Sequence, residues 1–213
     1  MNESQNLLNT DGVFVSPLTL KNFADFETNY VSARTKEKRI LSLEQIQKLP
    51  NVEPDYLHYK EWEIRKKNIQ RFLNYLSKKK KALRILDIGC GNGFFTHMMS
   101  KDHTVVGLDV NLTELKQAAE AFPNSGIHWY CLDILSEHLP ENRFDLITFC
   151  ASFQYFKNPK ALLLKCSELL TKDGEIHIID SPFYAEDAVE QARQNSLSYY
   201  RTLQTEAMTQ YYK

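Results

Sequence analysis

The sequence has no excess of charge of one sign, no paired cysteines and no long apolar run. Its formal net charge is -1 over 213 residues, which argues against a nucleic-acid-binding surface or an acidic tail. The 4 cysteines form no C-x-x-C pair, so we expect packed, reduced thiols and no metal site. No apolar run approaches the length of a membrane-spanning helix. The polar first ten residues lack the pattern of a signal peptide, and we therefore expect a soluble, cytoplasmic protein.

Glycine is also scarce, with 7 residues in the chain, yet three of them alternate at Gly89, Gly91 and Gly93. An apolar run precedes them, and helix-compatible residues begin at Phe94. Glycine can adopt backbone angles closed to other residues and places no Cβ in the way of a ligand. The start of the helix would direct free N–H groups into the same space. This loop predicts a nucleotide-like ligand, and Asp87 just before it favours a cationic or amine-bearing group over phosphate.

The spacing of the loop distinguishes between two kinds of nucleotide site. A dinucleotide fingerprint, G-x-G-x-x-G, would need its third glycine at Phe94. The sequence instead reads D-x-G-x-G-x-G from Asp87 to Gly93. That pattern resembles the first motif of the class I S-adenosylmethionine-dependent methyltransferases. The alternative is a glycine-rich turn between a strand and a helix that binds no ligand.

Three later features occur in the order that this resemblance implies. Asp109 follows the second predicted strand, where a carboxylate in a doubly wound sheet accepts hydrogen bonds from ribose hydroxyls. Asp133 and Ile134 follow the third strand and resemble the family position that contacts the adenine. Cys150 ends the fourth strand, which in this family lies under the methyl donor.

The resemblance implies S-adenosyl-L-methionine as the cofactor. The residues that it assigns to cofactor binding are Asp87, Gly89, Cys90, Gly91, Gly93, Asp109, Val110, Asp133, Ile134 and Cys150. Many small-molecule members carry a histidine in the loop after the fourth strand, where this chain has Gln154 and Tyr155. These two side chains are the candidates for a catalytic role, and no catalytic base is assigned.

The alternation of strands and helices sets the expected fold. Each predicted strand between residues 84 and 180 is followed by a helix, which predicts an α/β fold with a doubly wound, Rossmann-like parallel sheet. No β-rich segment follows Asp180, so we expect the sheet to lack the last strands of the family, through a truncated chain or an abbreviated fold. A helix is predicted over residues 55–77. We expect a methyltransferase domain over residues 55–213.

Residues 1–54 do not match this domain and are expected to form an N-terminal extension. Short strands are predicted at Val13–Val15 and at residues 29–32 and 39–41. Their cadence resembles a degenerate zinc-ribbon-like segment in which the metal-binding cysteines are absent. A disordered or draped arm is the alternative.

The function that the resemblance implies is methyl transfer from S-adenosylmethionine to a small-molecule acceptor, because the chain shows no basic face for nucleic acid. We expect neither a nucleic-acid partner nor a membrane partner. The alternatives are a cofactor-binding but inert interaction protein, an NAD-dependent oxidoreductase and an aminopropyl transferase. The sequence predicts no oligomeric state.

Overall fold

One seven-stranded sheet organises residues 6–211, the part of the chain that this computed structural model describes. The strand order is β1-β2-β5-β4-β3-β6-β7, and every neighbouring pair is parallel except the antiparallel pair β1–β2. The strands are β1 (Leu8–Thr10), β2 (Val13–Val15), β3 (Arg84–Ile88), β4 (Thr104–Asp109), β5 (His128–Cys131), β6 (Phe144–Cys150) and β7 (Leu170–Ile179).

Helices cover both faces of this sheet, as parallel strands require. They are α1 (Pro17–Lys36), α2 (Leu43–Lys48), α3 (Tyr59–Leu76), α4 (Phe94–Ser100), α5 (Leu112–Ala121), α6 (Pro159–Leu169) and α7 (Val189–Thr202). Short 3-10 helices occupy Phe153–Tyr155, Glu186–Ala188 and Glu206–Gln210.

The central strand β3 separates two hydrophobic cores. Ile85 faces the core that contains α3 and α4, whereas Leu86 and Ile88 face the core that contains α6. All three side chains are fully buried. A strand buried on both faces reads as a continuous apolar run, which is how this segment stands in the sequence.

The predicted parallel α/β sheet is confirmed, and so is the predicted helix before it, although α3 begins four residues later than expected. Trp62, Ile69, Phe72 and Leu76 form the buried stripe of α3. Within residues 6–211 no strand follows Ile179, so β7 is an edge of the sheet.

Two strand predictions in the N-terminal segment are wrong. Residues 29–32 lie inside helix α1, and residues 39–41 belong to no strand or helix. The side chain of Ser16 accepts a hydrogen bond from the backbone N–H of Thr19, and Pro17 occupies the first turn. A capping serine followed by proline is a signal for the start of a helix, and it prevails over the β-prone Tyr30-Val31 pair.

The third predicted strand, Val13–Val15, is present as β2 and pairs in parallel with β5. The hairpin of β1 and β2 therefore extends the main sheet. The division of the chain at residue 54 stays a prediction. The hairpin β1–β2 is followed by the helices α1 and α2, and this arrangement does not support the resemblance to a zinc ribbon.

None of the helices within residues 6–211 combines the length and the apolar character that a membrane span needs. No group of three or more His, Cys, Asp or Glu side chains in that range is arranged to hold a metal ion.

The burial of β3 makes a direct prediction about stability. Replacing Leu86, which is 0% exposed, with alanine should lower the free energy of unfolding by about 2–5 kcal/mol, because the cavity left behind loses its packing contacts. Urea unfolding followed by circular dichroism measures this change. The control, Leu164→Ala at a side chain that is 60% exposed, should change the free energy by about 0.5 kcal/mol or less. Equal losses in the two variants would contradict the assigned core.

Candidate cofactor and acceptor site

A cavity of about 930 Å³ opens at the carboxyl edge of the parallel strands. Its floor is the glycine loop after β3, together with the segments that follow β4, β5, β6 and β7. Side chains of α1, α3 and α7 also line it. Ligands of doubly wound sheets bind at this edge, and the volume is typical of a site for a small molecule.

The three glycines of the loop have different physical roles. All have positive φ angles, between 53° and 74°. A Cβ on Gly89 would lie 2.4 Å from the Cβ of Ser152, and one on Gly93 would lie 2.5 Å from the ring of Trp129. These two glycines therefore permit close packing of the loop. A Cβ on Gly91 would lie 3.2 Å from a carboxylate oxygen of Glu114, another residue that lines the cavity.

Of the predicted cofactor residues, all but Asp87 and Gly93 line the cavity. The lining set comprises Gly89, Cys90, Gly91, Asp109, Val110, Asp133, Ile134 and Cys150. The structure thus brings together segments that are far apart in the sequence. The role of each residue in cofactor binding stays a prediction.

Asp87 lies beneath the loop and does not reach the cavity. It is 1% exposed, and its two carboxylate oxygens accept hydrogen bonds from the hydroxyls of Thr96 (2.7 Å) and Thr148 (2.8 Å). Burial raises the pKa of Asp87 to about 6, and the two hydroxyl donors limit that rise. The expectation that Asp87 itself holds a cationic group is therefore corrected to a structural role, because the side chain is buried and does not line the cavity.

Asp109 connects the loop to the end of β4. One carboxylate oxygen accepts from the backbone N–H of Gly91 and the other from that of Asn111, both at 2.9 Å. Each oxygen keeps a second lone pair for a ligand. Burial raises the pKa of Asp109, whereas these backbone donors lower it.

Asn111 is a lining residue that the sequence analysis missed. Its side-chain oxygen caps α5 by accepting from the backbone N–H of Glu114, at 3.2 Å. Its amide nitrogen is buried, and no described residue accepts a hydrogen bond from it. A buried donor without an acceptor costs free energy, so a ligand in the cavity would gain by supplying one. The signal in the sequence was an asparagine directly before a predicted helix.

Asp133 lines the cavity and also stabilises its own turn. Its carboxylate accepts from the backbone N–H of Leu135 at 3.1 Å and from the hydroxyl of Ser136 at 2.5 Å. Its backbone N–H donates to the hydroxyl of Thr19 in α1, at 2.8 Å. The first turns of α1 are thereby fixed to the segment predicted to contact adenine.

Gln154 and Tyr155, the two candidates for a catalytic role, both line the cavity. The amide of Gln154 donates to the backbone carbonyl of Ala151 (2.8 Å) and accepts from the hydroxyl of Ser181 (2.9 Å). It therefore joins the loops after β6 and β7. The hydroxyl of Tyr155 accepts from the guanidinium of Arg34 in α1, at 2.9 Å. Burial raises the pKa of Tyr155, which argues against a phenolate base.

A series of charged side chains forms the far wall of the cavity, and the sequence analysis did not find it. Arg34 contacts Glu37 at 2.7 Å, and Arg39 contacts Glu37 at 3.3 Å and Glu61 at 2.6 Å. Arg65 lies 3.6 Å from Asp180. The signal in the sequence was the helical spacing of Phe23, Phe26, Tyr30 and Ala33, which indicates the helix that carries Arg34.

The family model described as a methyltransferase domain matches residues 86–178, which run from β3 almost to the end of β7. This part of the chain is similar to the class I methyltransferases. The donor used by this family is S-adenosylmethionine.

Two relatives indicate how far the similarity extends. The ubiquinone biosynthesis O-methyltransferase of Salmonella paratyphi A is 28% identical over 111 residues, which cover 49% of this chain and 46% of the relative. The malonyl-[acyl-carrier protein] O-methyltransferase of Acetivibrio thermocellus is 30% identical over 115 residues, which cover 52% and 40%. The chain thus spans less than half the length of these curated relatives.

Solved structures extend the likeness of fold to the N-terminal segment. The plantazolicin methyltransferase BpumL, solved in complex with SAH, is 21% identical with a TM-score of 0.54, covering 91% of this chain and 72% of that chain. YcgJ of Bacillus subtilis is 20% identical with a TM-score of 0.55, covering 64% and 59%. Both comparisons concern the fold alone.

Glu114 places a second partly buried carboxylate in the cavity, next to Asp109. Burial, followed by the negative charge of Asp109, raises the pKa of Glu114 from its ordinary value of 4.5 to about 7. Between these two pH values the folded state retains a proton that the unfolded chain has released. The contribution of this group to stability is therefore complete below pH 4.5 and is lost as the pH rises towards 7.

The variant Glu114→Gln should not show this loss. Relative to the wild type, its free energy of unfolding should increase by about 1–3 kcal/mol between pH 4.5 and pH 8. Urea unfolding of the cofactor-free protein at pH 4.5, 6 and 8 measures the difference, and Glu120→Gln at an exposed position of the same helix is the control. A difference between Glu114→Gln and the wild type that does not vary with pH would contradict the raised pKa.

Proposed function

We propose that this chain transfers the methyl group of S-adenosylmethionine to a small-molecule acceptor. The observation that supports this function most strongly is a single cavity in which the predicted cofactor residues share a space with a second set of aromatic and charged side chains. The first set lies within residues 86–178, the segment that matches the family model. The second set comes mainly from α1, α3 and α7, which enclose the space and restrict its size.

The residues of the first set fit the chemistry of the donor. Asp109 offers lone pairs to ribose hydroxyls, and Asn111 offers a buried amide donor. Gly91 leaves space that a side chain would fill. Asp133 and Ile134 are assigned to the adenine.

A cation is also needed for the carboxylate of the donor, and we assign Arg65. Its guanidinium contacts Glu61 at 3.5 Å and Asp180 at 3.6 Å. Both distances are at or beyond the limit of a good hydrogen bond, so most of its donors are available to a ligand. Its guanidinium carbon lies 4.8 Å from the centre of the Trp62 ring, which fixes its orientation.

When bound, S-adenosylmethionine supplies an activated methyl group on sulfur, so the protein contributes mainly alignment and the exclusion of water. Helix α1 encloses the cavity and so helps to exclude water. Ser16 and Thr19 at the start of this helix both donate hydrogen bonds to the buried Glu137, and Arg34 near its end donates to Tyr155. The helix is thus held at both ends above the floor of the site.

The relatives are named as methyltransferases, which favours methyl transfer over the NAD-dependent and inert alternatives. The structure offers a further argument against a dinucleotide. Phe94, at the position of the missing third glycine, is buried against Trp62 with ring centres 5.4 Å apart. A side chain in that place fills the space that close helix–strand packing would need in a dinucleotide fold.

Cofactor binding is tested by calorimetric titration with S-adenosylmethionine and, separately, with NAD. We expect the wild type to bind only the first. Asp109→Ala should bind it at least tenfold more weakly, because hydrogen bonds to a charged group contribute roughly 1.5–3 kcal/mol each. Gly91→Val should abolish binding by filling the space above the loop. Asp102→Ala, an exposed site, is the control, and unchanged affinity in Asp109→Ala would refute the assignment.

The acceptor class is tested with S-adenosylmethionine that carries a labelled methyl group. The protein is incubated with an extract of cells that contains small molecules, proteins and nucleic acids, and the fractions are then separated by size. We expect the label in a small-molecule product that chromatography separates from the unreacted S-adenosylmethionine, and no such product with Gly91→Val. Label confined to proteins or nucleic acids would contradict a small-molecule acceptor.

A further inference from the structure

Asp180 is a buried carboxylate at the carboxyl edge of the sheet to which no role has been assigned. It follows β7 directly, and its side chain is 9% exposed and lines the cavity. Its φ angle is 53°, in the left-handed region that residues other than glycine rarely adopt. Ala151, which follows the neighbouring strand β6, has a φ angle of 55°. Strain at two adjacent strand ends is typical of a functional site.

The hydrogen bonds of Asp180 are incomplete. Its Oδ1 accepts from the side-chain amide of Asn68, at 2.6 Å. Its Oδ2 is buried and accepts no hydrogen bond from any described residue. The Nε of Arg65 lies 3.6 Å away, too far for a good hydrogen bond. A buried charged oxygen without a donor is costly, so this atom would gain from a ligand that carries one.

Aromatic side chains that line the same cavity favour a positively charged ligand. Phe26, Tyr30 and Tyr199 line the same cavity, and the rings of Phe26 and Tyr30 lie 5.6 Å apart. Aromatic faces attract cations, most strongly where water is excluded. Glu61 adds a second carboxylate to the lining, which Arg39 contacts at 2.6 Å and Arg65 at 3.5 Å. No histidine is found among the lining residues in the described part of the chain.

On the basis of the proposed methyl transfer, we infer that the acceptor is an amine whose nitrogen donates a hydrogen bond to Oδ2 of Asp180. As a neutral amine attacks, the positive charge moves from the sulfur to the nitrogen. A fixed carboxylate beside the nitrogen stabilises that developing charge. A carboxylate is a much weaker base than is needed to remove the proton of an alcohol, which disfavours a hydroxyl acceptor.

The bonds and charges of this step balance without another reactant. The lone pair of the nitrogen forms a bond to the methyl carbon, and the carbon–sulfur bond breaks with its electron pair remaining on sulfur. The product is a methylated ammonium ion paired with Asp180. It leaves as the cation or releases its proton to water.

The segment that matches the family model ends at residue 178. Asp180, Tyr30 and Tyr199 therefore lie outside it. The names of the O-methyltransferase relatives therefore do not bear on the acceptor that these three residues would contact.

The test compares two probes on the protein saturated with S-adenosylhomocysteine. Tyramine carries an aromatic ring and an amine, and 4-propylphenol has a methyl group in place of the amine. By calorimetry we expect tyramine to bind the wild type at least tenfold more tightly than 4-propylphenol. The variant Asp180→Asn should lose this preference while its affinity for S-adenosylmethionine stays within twofold of the wild type.

Asparagine also tolerates a positive φ angle and can accept from Asn68, so the variant should fold, which thermal unfolding checks. Asp173→Asn, at an exposed position of β7, is the control and should keep the preference. Equal binding of the two probes by the wild type, or binding of neither, would overturn the inference. Weakened binding of S-adenosylmethionine to Asp180→Asn would instead assign Asp180 to the cofactor. Failure of the wild type to bind S-adenosylmethionine would refute the proposed function itself.

Discussion

The structure depends on the hydrogen bonds that the buried carboxylate of Asp87 accepts. This residue lies in the central strand, and the hydroxyls of Thr96 in α4 and Thr148 in β6 donate to its two oxygens. A carboxylate in such surroundings is tolerated only with close hydrogen-bond donors. The two threonines therefore connect the strand before the glycine loop, the helix after it and the neighbouring strand, and so fix both ends of the loop.

The geometry of the cavity follows from that connection. With the loop fixed, Gly89 can approach Ser152, whose hydroxyl donates to the backbone carbonyl of Ile88 at 2.6 Å. The backbone N–H of Gly91 is then positioned to donate to Asp109. The ends of β3, β4 and β6 are thus joined through short contacts, and the cavity forms above them. Helix α1 covers this floor. At the start of the helix, the hydroxyls of Ser16 and Thr19 donate hydrogen bonds to the carboxylate of Glu137.

The convergence of the predicted cofactor residues on one cavity could be expected because these residues lie at strand ends that the sequence marks clearly. Asp109 and Asp133 each follow an apolar run, and parallel strands place their carboxyl ends at one edge. Asp87 was expected to contact the ligand, whereas its side chain is buried beneath the loop, and the reason is physical. The sequence shows that it ends an apolar strand, but its partners Thr96 and Thr148 meet it only through tertiary packing.

The acceptor half was not predictable in the same way. Tyr30, Glu61 and Asp180 come from three parts of the chain that are distant in the sequence, and each position alone is compatible with an ordinary surface or core residue. Helix α1 was missed because residues 29–32 were interpreted as a strand, whereas Pro17 after Ser16 begins a helix that continues through them. The position of β7 at the edge of the sheet was expected, because no apolar run follows Asp180.

The central claim is that one cavity holds the methyl donor beside an acceptor chamber. A crystal structure of the chain with S-adenosylhomocysteine tests it most directly. We predict ribose hydroxyls within hydrogen-bond distance of Asp109, the adenine beside Asp133 and Ile134, and open space between the sulfur and Asp180. An adenosine bound elsewhere, or a ligand that fills the space beside Asp180, would contradict the account.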